Sequence, residues 1–299
     1  MDVLAQYPSL VILLTGLFSL LIGSFLNVVV YRLPIMIERD WIQEFIDYYQ
    51  VTFTKPLPGN IPLSERFNLA LPASTCPHCG HIIKAVENIP VISYWLQKGQ
   101  CNQCHGPISV RYPMIEGITA ITGMWTAWHF GWSWQLPVML LVSYFLIAMI
   151  AIDLDKMLLP DSLTLPLLWL GLLVSTQNLF VDTTSALIGA ALGYIFLWSV
   201  YWVFKILTGK EGIGHGDFKL LAAIGAFVGW QHLLIVILLS SVTGVLVALM
   251  LPLRQLAKQA DHTVPNNAFP FGPFLGLAGW LTMLYGDDIL SYYYNWLII

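Results

Sequence analysis

Two acidic residues stand where the chain is otherwise apolar. Asp153 closes the apolar run Phe145 to Ile152, and Asp217 follows Gly214-His215-Gly216 at the start of another apolar run. An ionisable group beside hydrocarbon is expensive and is by default a functional candidate. Two facing carboxyls can carry out aspartyl-type hydrolysis. One, ionised, takes a proton from water; the other, protonated, polarises the scissile carbonyl. Like charges in contact cannot both ionise, so such a pair shares one proton. The glycines of the Gly-x-Gly-Asp run permit close backbone approach and can hold the Asp at a helix start. Taken alone, that run is equally a helix N-cap. The catalytic expectation rests on the pair: two Asp at matching depth on one face of a membrane. Asp155 and Asp161, which flank a short loop, read as solvated.

Cys76, Cys79, Cys101 and Cys104 form two CxxC pairs. A redox pair needs only one CxxC, whereas two at this separation suit a tetrahedral zinc site built from four cysteines. All four ligands are then thiolates, no position is open for water, and the zinc is structural. Pro77, Gly80, Gly99 and Gly106 supply turn residues around the knuckles. The neighbouring His78, His81 and His105 read as solvated.

These residues need elements to position them, and the composition says of what kind. Of 299 residues, 57% are hydrophobic and 10% charged, with a mean hydropathy of +0.72. A soluble domain carries ~25% charged residues, so too few charges are present to cover a water-facing surface. This excludes a soluble globular enzyme, a disordered chain and a nucleic-acid binder with a broad basic surface. A span needs ~20 mostly apolar residues. Such stretches fall near 10–31, 113–132, 136–154, 162–180, 184–207, 218–230, 232–253 and 271–290, the sixth of them short. The first is too long for a signal-peptide core and reads as a retained span. The expected fold is an all-α polytopic membrane protein of about eight transmembrane helices with a small cytoplasmic zinc-binding domain inserted after the first. Its parts are a first helix (1–31), the four-cysteine zinc-binding domain (32–112) and a seven-helix membrane domain (113–299).

The cations orient these spans. Seven Lys and Arg fall in 32–112, one in 153–161, three in 205–219 and two in 254–270, which accounts for all 13 in the chain. Every one lies on the same side if both termini face outward, so by the positive-inside rule these loops are cytoplasmic. In that reducing compartment disulfides are disfavoured. A transporter would need polar groups at mid-membrane; here the acids sit at one edge, which favours an enzyme over a transporter or scaffold.

With these motifs in place the chain resembles the type IV prepilin peptidases, bifunctional leader peptidases and N-methyltransferases of Gram-negative bacteria. The resemblance runs through Gly23-Ser24-Phe25-Leu26-Asn27 to Arg32-Leu33-Pro34, the Cys76-Pro77-His78-Cys79 segment, Asn88-Ile89-Pro90 and Gly99-Gln100-Cys101-Asn102-Gln103-Cys104. It continues through Arg111-Tyr112-Pro113 with Glu116, Asp153 with Pro160-Asp161, the GxGD segment with Lys219, and Pro270-Phe271-Gly272-Pro273-Phe274. It implies a GxGD aspartyl protease of the bacterial inner membrane with Asp153 and Asp217 as the catalytic pair. The implied substrates are type IV prepilins and type II secretion pseudopilins, cut after a Gly at the cytoplasmic face. The new N-terminus is then methylated from S-adenosylmethionine, an activity associated with the cysteine loop. Contributors to binding that cofactor are expected among Asn27, Arg32, Asn88, Gly99, Arg111 and Glu116. Each has a structural alternative, such as an interhelical hydrogen bond for Asn27 or a positive-inside anchor for Arg32. Glu38, Asp40, Glu44 and Asp47 are placed to meet a basic leader.

Overall fold

The computed structural model describes residues 6–53, 67–210, 212–250 and 270–297. The loop expected at 254–270 lies outside them except for Pro270, and the two chain ends lie outside as well. The described residues are helical, with no strand among them beyond two isolated bridges, Thr75 with Ile82 and Gln100 with Pro107. They fall into two compact units, dividing between Gly131 and Trp132. That division lies one helix later than the expected boundary at 112.

In the first unit, α1 (Pro8–Phe53) pairs with α3 (Arg111–Phe130). A short 3₁₀ turn (Ala85–Asn88) and a five-residue helix, α2 (Ile92–Leu96), lie between them. The α1–α3 pair is antiparallel, with Gly16 against Met124 and Gly23 against the Glu116 backbone and Thr119. α1 does not end at Tyr31, where the first span was expected to stop. It runs a further 22 residues, with Pro34 inside it. The continuation is rich in charged helix formers, and Gln43 donates to Asp47 one turn on, at 2.8 Å, a helix-supporting spacing. Glu38, Asp40, Glu44 and Asp47 lie along it, all four exposed.

The second unit holds α4 (Gln135–Lys156), α5 (Asp161–Ser175), α6 (Thr183–Thr208), α7 (His215–Met250) and α8 (Gly272–Leu297). α5 is shorter than the expected 162–180. Its 15 residues span about 22 Å, less than the ~30 Å hydrocarbon core. α7 joins the two segments expected at 218–230 and 232–253. The break between them is Gly229, at φ 71° and ψ 174°, a conformation that favours glycine. Counting the halves of α7 separately, the described residues form eight apolar helical segments. Four helices, at Pro8–Tyr48, Gln135–Lys156, Thr183–Thr208 and His215–Met250, are long and apolar enough to cross a membrane. Many large apolar side chains are exposed along them, among them Leu13, Leu17, Leu21, Ile195, Val203 and Leu246, as lipid-facing surfaces require.

The short sixth segment has a physical reason. Every residue from Leu220 to Gly229 is buried, so this first half of α7 is a core helix enclosed by protein. α5, α6 and α8 all pack on α7, and each approaches through a glycine. A Cβ on Gly171 of α5 would meet Ala226 at 2.8 Å, and one on Gly279 of α8 would meet Ile224 at 2.7 Å. On α6, a Cβ on Gly189 would overlap the carbonyl oxygen of Gly225, and one on Gly193 would meet that of Leu221 at 2.7 Å. This is the small-xxx-small packing of membrane helices, in which close backbone approach replaces a hydrophobic driving force. Gly189→Leu is therefore expected to destabilise the protein by about 3 kcal/mol, the upper end of overpacking costs. Gly117→Ala, on α3 with nothing within 4 Å of the new carbon, should be neutral. Thermal unfolding of the two variants in one detergent checks both.

Candidate active site and metal centre

In the second unit, Asp153 lies in the last turn of α4 and Asp217 in the first turn of α7, at 5% and 7% exposure. α4 ends because Met157 turns left-handed at φ 51°, with its N–H returned to the Asp153 carbonyl at 2.9 Å. Asp153 Oδ2 accepts the backbone N–H of Gly272 at 3.0 Å. Gly272 opens α8, so the carboxylate meets the positive end of a helix dipole. A Cβ on Gly272 would stand 2.7 Å from that same oxygen, so only glycine brings its N–H to this place undistorted. Asp217 Oδ1 is buried and has no hydrogen-bond partner among the described residues. The two carboxyls are near enough to act on one another electrostatically.

Leu159, from the loop between α4 and α5, packs against Gly216 and Gly272, the glycines beside the two acids. A Cβ on Gly216 would meet Leu159 Cβ at 2.7 Å, and one on Gly272 would meet its Cδ1 at 3.3 Å. Asp161 is not simply solvated, as its loop position suggested. Lys219 Nζ donates to both of its oxygens at 2.6 and 2.7 Å, which ties the start of α5 to the first turn of α7. The Asp161 carboxyl is still 57% exposed, so this pair acts as an alignment more than a source of stability. His215 stacks against Tyr201 and Phe218, at 5.0 and 5.4 Å between ring centres. Leu159 carried no sequence signal, because a single leucine in an apolar chain is unmarked.

In the first unit the four cysteines converge. Their sulfurs all lie within 4.8 Å of one another, with Cys76 to Cys104 at 3.8 Å and Cys79 to Cys101 at 4.0 Å. Sulfurs bound ~2.3 Å from a tetrahedral ion stand ~3.8 Å apart, so the cluster can hold a metal ion. The two knuckles share one backbone plan. Cys76 N–H donates to the His81 carbonyl and Gly80 N–H to that of Cys76; Cys101 N–H donates to the Gly106 carbonyl and His105 N–H to that of Cys101. The left-handed residue is Gly80 in the first and His105 in the second. Gly106 is glycine for a different reason: a Cβ there would meet the His78 ring at 2.9 Å.

Backbone N–H groups of His78 and Cys79 pull the Cys76 thiol down to about 7. Those of Cys104 and Gln103 lower Cys101 in the same way. The His81 N–H also pulls on Cys79, but burial and the neighbouring Cys104, Cys76 and Cys101 sulfurs drive that thiol up to about 12. Four thiolates this close need a cation to coexist.

Glu87, unmarked in the sequence, links the knuckles. It accepts from Asn102 at 2.9 Å beside the second, from His81 at 3.0 Å beside the first, and from Lys84 N–H at 2.9 Å. Those donors, Asn102 foremost, hold its carboxyl down at about 2. His81 is thus paired, contrary to the expectation that it is solvated.

A cavity of about 590 Å³ opens between the knuckles, α2 and the helix pair. Asn27, Arg32, Asn88 and Glu116 line it, whereas Gly99 and Arg111 do not. Arg32, 6% exposed, donates to the Asn68 and Pro72 carbonyls at 2.9 and 2.7 Å. It therefore gathers a loop instead of serving only as an anchor. Asn27 donates across the helix pair to the Tyr112 carbonyl at 3.1 Å. Glu116 accepts the Val91 N–H at 2.7 Å. Gly99 turns left-handed at φ 70° against the Tyr94 ring. Arg111 is the first residue of α3.

Comparison with known proteins separates the chain at the same place as its contacts do. The Bacterial Peptidase A24 N-terminal domain matches residues 17–130, and the Type IV leader peptidase family matches residues 140–249. A prepilin leader peptidase/N-methyltransferase of Stutzerimonas stutzeri is 48% identical, covering 98% of this chain and 96% of the relative. Proteins of the same name from Pseudomonas aeruginosa and Aeromonas hydrophila are each 49% identical, covering 98% and 96% of this chain and 97% and 94% of theirs. No solved structure matches the chain. Identity of this extent over nearly the whole length makes the chain an enzyme of the type IV leader peptidase family.

Proposed function

We propose that this protein is a membrane aspartyl endopeptidase and N-methyltransferase acting on prepilins and pseudopilins, with Asp153 and Asp217 as its catalytic pair. The observation that supports the reading is that two buried carboxyls, from α4 and α7, stand near enough to act on one another electrostatically, one on a helix N-terminus and the other with an unengaged oxygen. The Gly272 N–H holds the Asp153 carboxylate in one orientation. Asp217 Oδ1 is left to bind water or the substrate carbonyl. One ionised and one protonated carboxyl then divide the work, the first accepting a proton from water and the second donating to the carbonyl oxygen. The products are a leader carboxylate and a new amino terminus. Leu159 limits water around the pair, and the Lys219–Asp161 bridge aligns the first turns of α5 and α7. The cation distribution supports a cytoplasmic position for these loops in a bacterial inner membrane, with both termini in the periplasm. That is where a substrate with a basic cytoplasmic leader and an apolar helix presents its scissile bond.

Within the first unit, we propose that Cys76, Cys79, Cys101 and Cys104 hold a structural zinc ion. The cavity beside it takes S-adenosylmethionine, its volume falling within the usual ~300–1,000 Å³ range for small-molecule sites. That cofactor supplies an electrophilic methyl group for the new amino terminus. Asn27, Asn88 and Glu116 line the cavity and Arg32 brings positive charge to it. Gly99 and Arg111 support its walls from outside.

Asp153→Asn and Asp217→Asn, in purified full-length protein, are each expected to slow prepilin cleavage by about 10²–10⁴-fold or more while leaving membrane insertion intact. Near-normal cleavage by either variant refutes the dyad. Metal analysis should find one zinc per chain, lost in Cys76→Ser. Mass spectrometry of the cleaved pilin should show the added methyl group with the native protein and its loss in the zinc-depleted variant. A native product lacking the methyl group would leave the peptidase reading alone.

A further inference from the structure

α2 is too short to be a folding unit, yet it is strongly two-faced. Ser93, Tyr94 and Gln97 turn toward the cavity and line it. Ile92, Trp95 and Leu96, at positions i, i+3 and i+4, share the opposite face. Trp95 and Leu96 are each 77% exposed and Ile92 is 56% exposed. An apolar face this open needs something to cover it.

The anchoring of α2 indicates what that is. The residues just before it are bonded to α1 and α3, and not at their ends. Asn88 Nδ2 donates to Ser24 Oγ at 3.3 Å, and Ser24 lies seven residues inside the apolar stretch that closes at Tyr31. That is about 10 Å along a helix axis. Val91 N–H donates to Glu116 at 2.7 Å, five residues inside α3, or about 7.5 Å from its start. Two independent bonds thus place the start of α2 at a similar depth, below Tyr31 on α1 and below the start of α3. Val91 itself takes φ 59°, costly for a β-branched residue, so the chain is held at this depth against a local preference. An interfacial helix buries its apolar face ~5–10 Å into the headgroup and acyl boundary, and Trp is enriched at that level.

We propose that α2 is an interfacial membrane anchor: the face formed by Ile92, Trp95 and Leu96 inserts into the cytoplasmic leaflet and seats the cysteine-bearing segment on the bilayer. The inference does not depend on the enzymatic reading. The test uses full-length protein in nanodiscs of phosphatidylethanolamine and phosphatidylglycerol, with a photoreactive benzoylphenylalanine at position 95, 96 or, as a control, 103. Gln103 is exposed on the second knuckle. Lipid adducts at 95 and 96 are expected to exceed those at 103 by about threefold or more, given insertion to acyl depth. Adducts no more frequent than at 103, or crosslinks mainly to a second copy of the chain, overturn the proposal. A second measurement avoids the bulky probe. Trp95→Phe should reduce the quenching of tryptophan fluorescence by lipids brominated near the top of the acyl chain. Unchanged quenching counts against insertion, and the adducts decide if the two results differ.

Discussion

Backbone touches backbone where α6 crosses α7, and the position of Asp217 follows from that contact. Gly189 and Gly225 leave no room for even one carbon between the two helices. With Gly171 and Gly279 closing from α5 and α8, the first half of α7 is gripped along its length. A carboxyl at the first turn of such a helix cannot drift. The cost of keeping it out of water is borne by packing spread over four helices. This is how a helix too short to cross a bilayer unaided can sit in one: it is shielded by its neighbours and has little exposure to lipid.

The same logic explains what could be read in advance. Eight apolar segments, the paired CxxC knuckles and the two acids at span edges were legible because hydropathy, cysteine spacing and misplaced charge are local signals. The extension of α1 past Tyr31 was not legible, since an apolar span reads as ending where polarity rises. The helix continues there because Glu, Arg, Gln and Asp are adequate helix formers. The partners of several polar groups were also hidden. Glu116 meets Val91 and Asp161 meets Lys219 across 25 and 58 residues of sequence, and no spacing rule connects them. Leu159 and Glu87 escaped because a leucine among leucines and a glutamate in a polar loop are unremarkable until their neighbours are known.

The two knuckles show how one backbone solution tolerates different residues. The left-handed position falls to Gly80 in one and to His105 in the other. The second accepts a side chain there because the crowding lies one residue later, at Gly106. Reading glycine as the marker of the turn would therefore misplace the turn by one residue in the second knuckle, although its hydrogen bonds repeat those of the first.

Glu87 has a consequence that reaches beyond the turn in which it sits. Its carboxylate is clasped by a side chain next to each half of the cysteine cluster, and it belongs to the wall of the neighbouring cavity. If the sulfurs spread apart, His81 and Asn102 would pull on that one carboxylate from opposite directions, and the cavity wall would shift with them. Occupancy of the cluster and the shape of the chamber are in this way geared together, so a cell short of the ion would lose the chamber's form.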